Sequence, residues 1–307
     1  MKYLILLTFV GLSIHMHAQM LNDSPFNAKV AHPKFAKGKG PSMLIDVAHH
    51  NFIVEMGLIK PLIDVISADG YQPSIDSALF TKDYLAKYKV VVITPAMPFR
   101  FGSKKEVTNE ITFTDNELNA LYDWVNEGGA LLMLSEHAPI DKSMTPLFNK
   151  FGIQLSSGAV YDSLNYDTSI SLPSKETILQ FTTQNGLLNQ THPITKGEKA
   201  GEKINKIETY TGSSLYGQGY TNIFTLSPTA KMRKWSGALP AGLGNSQGLA
   251  GTIGKGKVVA IGDCNGFTAM YVRSNTGDKF SAGMQVEAYD WKQFVLNTFH
   301  WLSKKDN

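Results

Sequence analysis

Three short polar stretches carry the residue types that acid–base chemistry needs, and each closes an apolar run. Leu131-Leu132-Met133-Leu134 leads into Ser135-Glu136-His137-Ala138-Pro139, Met43 to Ala48 leads into His49-His50-Asn51, and Val258 to Gly262 leads into Asp263-Cys264-Asn265. A carboxylic acid beside an imidazole can hold a proton near neutral pH, because burial raises the acid's pKa and a neighbouring carboxylate raises the histidine's. Glu136 or Asp263 with His49, His50 or His137 is therefore a candidate acid–base set, led by Glu136 and His50. Asp46, Asn51, Thr211 and Asn265 are candidates to bind a ligand. The plainer alternative has Glu136 capping a helix that starts near Pro139 while His137 bonds a loop carbonyl. His32, His192 and His300 make weaker cases, since His192 precedes a turn proline and His300 lies on a packing helix.

Asp46, His49, His50, His137 and Asp263 are also suitable ligand types for a divalent metal. Their spacing matches no zinc or calcium motif, so no cofactor is expected and no residue is assigned to a metal; a divalent ion stays open as an alternative. Gly251-Thr252-Ile253-Gly254-Lys255-Gly256-Lys257-Val258 nearly spells a phosphate-binding loop. Val258 stands where Ser or Thr is required, and the segment joins two strands instead of opening a helix. No Gly-x-Gly-x-x-Gly follows the first strand, so a dinucleotide cradle is missing as well. Cys264 is the single cysteine, which excludes an internal disulfide and suits a small buried hydrophobe better than a nucleophile.

Polar groups at the ends of apolar runs require strands to carry them to one place. Met43–Ala48, Tyr71–Asp76, Tyr88–Thr94 and Leu131–Leu134 read as strands, the third rich in β-branched residues. Between them, Ile59, Leu62, Ile63 and Ile66 fall at helical spacing, with Pro61 in the first turn and Asp69-Gly70 as the stop. Thr114 with Glu117 forms a capping box, Phe113 can staple to Leu118, and Leu121, Tyr122 and Val125 extend the buried face to Gly128-Gly129. After Pro139, residues Met144, Leu147, Phe148 and Phe151 share one helical face, and Gly152 ends it. The alternation predicts an α/β fold with an open, mainly parallel sheet covered by helices in three layers. Residues 153 to 236 change to short β-like pieces. Gly248–Ile253 and Lys257–Gly262 form a hairpin returning to the sheet, and a last helix spans Met284 to Ser303. The loop from Pro95 to Ile111, carrying Phe99, Arg100 and Phe101, is long enough to act as a lid or a surface excursion.

Residues 1–18 are set apart: Lys2, an apolar run from Tyr3 to Ile14 and the small residue Ala18 make a secretory signal peptide, too short to span a bilayer comfortably. The expectation is a protein exported to the periplasm or medium, without a membrane anchor. Residues 19–41 are an extended lead-in, and 42–307 form a single domain. With 43% hydrophobic residues and a formal charge of +3, the chain has no basic block with interleaved aromatics, which argues against nucleic acid. Composition says nothing about oligomeric state.

The run Leu44-Ile45-Asp46-Val47-Ala48-His49-His50-Asn51-Phe52, with Phe113-Thr114-Asp115, Trp124-Val125-Asn126-Glu127-Gly128-Gly129-Ala130-Leu131-Leu132 and Glu136-His137-Ala138-Pro139, resembles the class I glutamine-amidotransferase-like superfamily. Within it, the chain is similar to exported members and to the trehalose-utilisation-type proteins. The resemblance implies a flavodoxin-like sheet. It does not extend to chemistry: the family's Gly-x-Cys-x-Gly turn reads Leu134-Ser135-Glu136-His137-Ala138 here, and no His-x-Glu occurs. Ser135 lacks the flanking glycines of a nucleophile elbow. Two functions follow as expectations. One is an exported acid–base enzyme, a hydrolase of a small polar or carbohydrate-like substrate; the other is a non-catalytic ligand-binding or scaffold domain.

Overall fold

A computed structural model describes residues 19–22, 26–100, 103, 111–170, 175–233, 242, 244–273 and 279–304. Strand β1 (Gln19–Asn22) lies in the stretch expected as an extended lead-in. Strand β2 (Ser42–Asp46) follows, then helices α1 (Phe52–Glu55) and α2 (Lys60–Ala68), strand β3 (Gln72–Asp76), helix α3 (Lys82–Leu85) and strand β4 (Val90–Ile93). Helix α4 (Asp115–Asn126), strand β5 (Ala130–Leu134) and helix α5 (Ile140–Lys150) complete the alternating half. The β-rich stretch resolves into β6 (Ile153–Leu155), β7 (Ala159–Tyr161), β8 (Ile178–Thr182), the short helix α6 (Pro193–Lys196), β9 (Lys206–Tyr210), β10 (Leu215–Gly217), β11 (Thr221–Thr225) and β12 (Lys231–Arg233). The chain ends with β13 (Ser246–Ile253), β14 (Gly256–Ile261), β15 (Ala269–Arg273), β16 (Lys279–Gly283) and helix α7 (Trp291–Ser303).

The α/β class agrees with the sequence reading, but the main sheet is mixed. It has nine strands, with the path β3-β2-β4-β5-β14-β13-β10-β6 and β11 beside β13. From β3 to β14 every pairing is parallel, whereas β13, β10, β6 and β11 join antiparallel. Smaller sheets join β1 and β16 to β15, β12 to β7, and β8 to β9. The parallel strands are buried along their length, as the unbroken apolar runs of β4 and β5 require. The edge strand β3 is different. Ile75 is 50% exposed, and among the described residues β3 pairs with β2 alone, with Pro73 between Gln72 and Ser74.

Local sequence chemistry sets the helix ends. Thr114 and Glu117 form the capping box that starts α4. Helix α7 begins at Trp291, later than the expected Met284, because residues 284–290 form turns that tie to β9 through Asp290. Trp291 is fully buried, donates its indole N–H to the Glu208 carbonyl at 2.7 Å and packs against Phe267 and Phe294. Asp69 and His300 join the end of α2 to α7 at 2.7 Å. The expected lid segment falls largely outside the described residues, at 101, 102 and 104–110.

The near-match to a phosphate-binding loop is a hairpin turn: β13 and β14 pair antiparallel from Ile253↔Gly256 outward. Gly256 has the tightest surroundings of this turn, since a Cβ there would sit 1.9 Å from the Val125 carbonyl oxygen and 2.4 Å from that of Gly129. The hairpin can therefore dock under the end of α4 only without a side chain at 256. Gly256→Ala is expected to destabilise the fold by about 2–3 kcal/mol through overpacking. Urea unfolding measures it, and a loss within about 0.5 kcal/mol, the scatter of ordinary surface changes, contradicts this account of the contact.

Candidate functional site

Parallel pairing brings four strand ends to one edge. Ile45 is registered with Val92, Ile93 with Met133, and Leu134 with Ile261. The residues after those ends fall into two separate hydrogen-bonded clusters, because β4 lies between β2 and β5.

The first cluster holds His49 between two carboxylates. Its Nδ1 donates to Asp46 Oδ2 at 2.8 Å and its Nε2 to Glu117 Oε1 at 3.1 Å, while Phe80 and Phe113 lie against the ring with centroids 5.0 and 4.4 Å away. Burial alone would lower the histidine pKa, but the bonds and charges of Asp46 and Glu117 outweigh it and raise the value. For Glu117, burial pushes upward, yet the Thr114 hydroxyl and amide and the His49 charge bring it below the ordinary range. Asp46 also accepts from the Ala48 amide at 3.0 Å and the Asn51 side chain at 3.1 Å. His49 is thus an imidazolium with both N–H groups engaged and all three charged groups buried.

The second cluster is a carboxyl pair on neighbouring strands. Glu136 is 4% exposed; its Oε1 accepts from the His137 amide at 3.1 Å, and its Oε2 accepts from Asn265 Nδ2 at 2.9 Å and from the Cys264 thiol at 3.3 Å. Asp263 is fully buried, with Oδ1 taking the Asn265 amide at 2.7 Å and Oδ2 taking the Tyr210 amide. Burial, followed by the Asp263 charge, lifts Glu136 well above the usual carboxylate range, and burial lifts Asp263 to about 6. Burial and then the Glu136 charge also push the Cys264 thiol up, so it stays protonated and donates. The two acids titrate as one unit.

Tyr210 connects this pair to a third set of buried groups. Its carbonyl accepts from Asn265 at 3.3 Å, and two residues earlier on β9 the Glu208 side chain is also buried. Asp167 accepts from the Tyr289 hydroxyl at 2.5 Å, and Tyr289 in turn accepts from Gln180 at 2.7 Å. Burial, then the bond to Asp167, raises Glu208 to about 8.

The expected site residues therefore divide. Glu136, Asp263 and Asn265 meet. Asp46, His49 and Asn51 form their own cluster, and neither set contains His50, whose side chain is 45% exposed and bonds Glu55 at 2.9 Å. The Nδ1–H of His137 donates to the Ala138 carbonyl at 2.7 Å, and burial lowers its pKa. Thr211 lies beside Tyr210, with its hydroxyl on the Tyr210 carbonyl at 2.5 Å. Thr211 and His50 both have left-handed backbones, at φ 63° and 45°, which is uncommon for non-glycine residues and strained for a β-branched one. Among the described residues no group of three or more His, Cys, Asp or Glu side chains is arranged to hold a metal ion. Sequence reasoning missed Glu117 as a partner of His49, and also Asp167, Glu208 and Tyr289. Glu117 was visible only as a capping residue, 68 positions away from its histidine.

A cavity of about 250 Å³ lies elsewhere, lined by Glu198, Lys257, Asn297, His300, Trp301 and Lys304 among others. Lys257 is near the start of β14, registered with Ala130 at the start of β5, so this cavity belongs to the opposite edge of the sheet. Six residues of strand separate Lys257 from Asp263, roughly 20 Å at 3.3 Å per residue. Lys304 reaches Glu198 at 3.2 Å, and Lys257 donates to the Lys304 carbonyl at 2.7 Å with its ammonium 5.5 Å from the Trp301 ring centre.

No family model and no curated protein matches the chain. Among solved structures, it is similar to the mmIFT52 N-terminal domain at 15% identity and a TM-score of 0.55, covering 87% of this chain and 99% of that one. Two proteins described as thua-like also overlap it. The one from Bacteroides uniformis is 14% identical with a TM-score of 0.43, covering 92% of this chain and 96% of its own. The one from Parabacteroides merdae is 10% identical with a TM-score of 0.45, covering 87% and 91%. The likeness to mmIFT52 concerns the fold alone.

Two outcomes follow from the electrostatics. His49→Ala leaves two buried carboxylates without their cation and is expected to cost about 3–5 kcal/mol in urea unfolding; a loss below about 1 kcal/mol contradicts the ion triad. Asp263, Glu136 and Glu208 all have folded-state pKa values raised above their ordinary ones. The folded chain then binds more protons than the unfolded one, so their contribution is complete below the ordinary carboxylate range and is lost as pH rises through about 6 and on to about 8. His49 acts in the same direction from its ordinary 6.5 upward. His137 and His192, whose pKa values burial lowers, work the opposite way up to their ordinary 6.5, so the urea midpoint of the wild type should fall between about pH 6.5 and about pH 8, and Glu136→Gln should flatten that fall. A midpoint that rises over the window, or an unchanged slope in the variant, would sink the carboxyl-pair account.

Proposed function

We propose that this chain is an exported domain that binds a small polar or carbohydrate-like ligand and performs no chemistry on it. The observation that carries this reading is a separation: the cavity sized for a small ligand and the proton-holding carboxyls occupy opposite edges of the sheet. A catalytic acid must come within hydrogen-bond reach of its substrate, and Glu136 and Asp263 are enclosed with their oxygens already bonded to Asn265, Cys264, His137 and Tyr210.

The fold supports the same reading. The parallel strands in order β3-β2-β4-β5-β14 follow the 2-1-3-4-5 winding of a flavodoxin-like sheet, and α2 packs with α7 while α4 packs with α5, as a three-layer amidotransferase-like domain would have them. In that winding the usual ligand crevice opens between β2 and β4. Here the His49 ring, just beyond β2, packs against Phe80 and Phe113. By the resemblance to amidotransferases, the Glu136 turn corresponds to their nucleophile turn, and Ser135 there lacks the flanking glycines of an elbow. The cavity at the other edge offers an indole beside ammonium and carboxylate groups, a combination suited to a sugar or sugar acid.

The second reading, an acid–base hydrolase of such a ligand, is favoured by one observation: Glu136 retains its proton above the ordinary carboxylate range beside Asp263. One experiment separates the two. A panel of glycosides, sugar acids, esters and phosphoesters is followed for tryptophan-fluorescence binding and for turnover with wild type, Trp301→Ala and Glu136→Gln. Saturable binding without turnover, weakened about tenfold in Trp301→Ala and unchanged in Glu136→Gln, is expected, tenfold being about 1.4 kcal/mol and within the range of an aromatic contact. Turnover that drops by about a hundredfold or more in Glu136→Gln would overturn the proposal in favour of the hydrolase.

A further inference from the structure

Distant parts of the chain meet at the cavity near the start of β14: the turn after α6 at Glu198, Lys257 on β14, and the end of α7 from Asn297 to Lys304. Its volume of about 250 Å³ is below the roughly 300–1,000 Å³ of pockets that hold drug-sized ligands. It suits one sugar ring and not a chain of them. Among the described residues its wall carries two ammonium groups, Lys257 and Lys304, and one carboxylate, Glu198. Lys257 is 5% exposed, so its charge belongs to the wall and not to the mouth. Glu198 is held from two sides, by Lys34 on Oε2 at 2.5 Å and by Lys304 on Oε1 at 3.2 Å. The bond from Lys34 outweighs partial burial and, with that from Lys304, holds the carboxyl at about 2. Neighbouring carboxylates are turned to other partners. Asp69 takes the His300 imidazole and the Lys34 amide, each at 2.7 Å, and Glu202 takes the Glu198 and Lys199 amides at 2.8 and 3.1 Å. A side chain of the protein thus sits as an anion on the cavity's lysine, and that side chain, 37% exposed, can leave for water.

We infer that the ligand of this cavity is a monosaccharide acid, with its ring on the Trp301 indole and its carboxylate on Lys304, in the seat that Glu198 otherwise holds. This deepens the binding reading above and rests on it. An ammonium bonds a carboxylate about twice as strongly as it bonds a neutral oxygen, so the acid gains where a plain hexose does not. Lys257 adds a second positive charge from within the wall, its ammonium 5.5 Å from the indole centre and its aliphatic stem available to the ring. The exchange is nearly balanced in bonds, because Glu198 regains water at the rim as the ligand gives it up. Selectivity comes from the same exchange. A neutral sugar finds the indole but leaves Lys304 to Glu198, and an amino sugar meets two ammonium groups of its own sign.

The purified full chain is titrated calorimetrically with glucuronate, its methyl ester, glucose, glucose 6-phosphate and glucosamine. At about 10 mM salt, where the Debye length is about 30 Å, glucuronate is expected to bind about tenfold tighter than the ester or glucose, and glucosamine weakest. At about 1 M salt that preference narrows. Glu198→Gln removes the built-in competitor and should tighten glucuronate by about three- to fivefold while leaving glucose unchanged, a gain that a damaged fold cannot produce. Lys257→Met should weaken glucuronate by about tenfold and glucose little, whereas Trp301→Ala weakens both. Glucuronate binding that is unchanged or weaker in Glu198→Gln overturns the shared seat. Glucose bound as tightly as glucuronate, with Trp301→Ala weakening both, overturns the acid and leaves the binding reading standing. Glucose 6-phosphate bound more tightly than glucuronate overturns the carboxylate in favour of a phosphate-bearing sugar. If no sugar binds, or if binding is moved by none of the three variants, the binding reading of this cavity falls and the inference falls with it.

Discussion

Taking a carboxylate out of water is affordable only when cations or donors replace the lost hydration, and the Asp46, His49 and Glu117 triad meets that requirement at the centre of this fold. Asp46 ends β2, Glu117 opens α4, and Phe80 precedes α3, so one imidazolium fixes three elements that are far apart in the chain. The capping box depends on it too, since the same Glu117 carboxylate accepts from Thr114 and from His49. Helix α4 then sets the depth at which the β13–β14 hairpin docks, through the contact at Gly256. The parallel half of the sheet is thus held from its ends as well as by its buried faces.

The Glu136 and Asp263 pair solves the same problem by other means. Burial keeps a proton on the pair, and amides, an asparagine and a thiol supply the remaining bonds. Glu208 on β9 repeats the device, burial and the bond to Asp167 keeping its proton while Asp167 accepts from the Tyr289 hydroxyl. Tyr210 lies between the two pairs: its amide donates to Asp263, and the charges of Glu208 and Asp263 add to the burial that raises its hydroxyl pKa.

Much of this architecture was legible in the residues, because strands buried on both faces must be continuously apolar and helix starts must satisfy their own amides. Val90–Ile93, Ala130–Leu134, the Thr114 cap and the hairpin at Gly254 all sit where those requirements put them. The site was legible only in part. That Glu136 and Asp263 follow strand ends on one edge of the sheet was readable from the pattern; that their strands are neighbours was not. That His49 faces Glu117 was not readable either, since 68 residues of sequence and a strand crossing intervene and no local rule couples them. The start of α7 was misplaced because Met284 to Asp290 is apolar and aromatic enough to imitate a helix, while its turns are set by distant contacts with β9. The antiparallel half of the sheet left no readable order because its strands are three to eight residues long and each is paired across the chain.

The outer strand β3 carries a consequence of its own. A strand that pairs on one side only invites another chain to continue the sheet, and Ile75, half exposed, would reward such an intruder. In β3 the bonds to β2 involve Gln72 and Asp76, which turns the backbone of Pro73 to the free side. Proline has no amide hydrogen, so the ladder an incoming strand would need is broken at its second rung. Protection against aggregation at this edge therefore rests on one ring in a short strand.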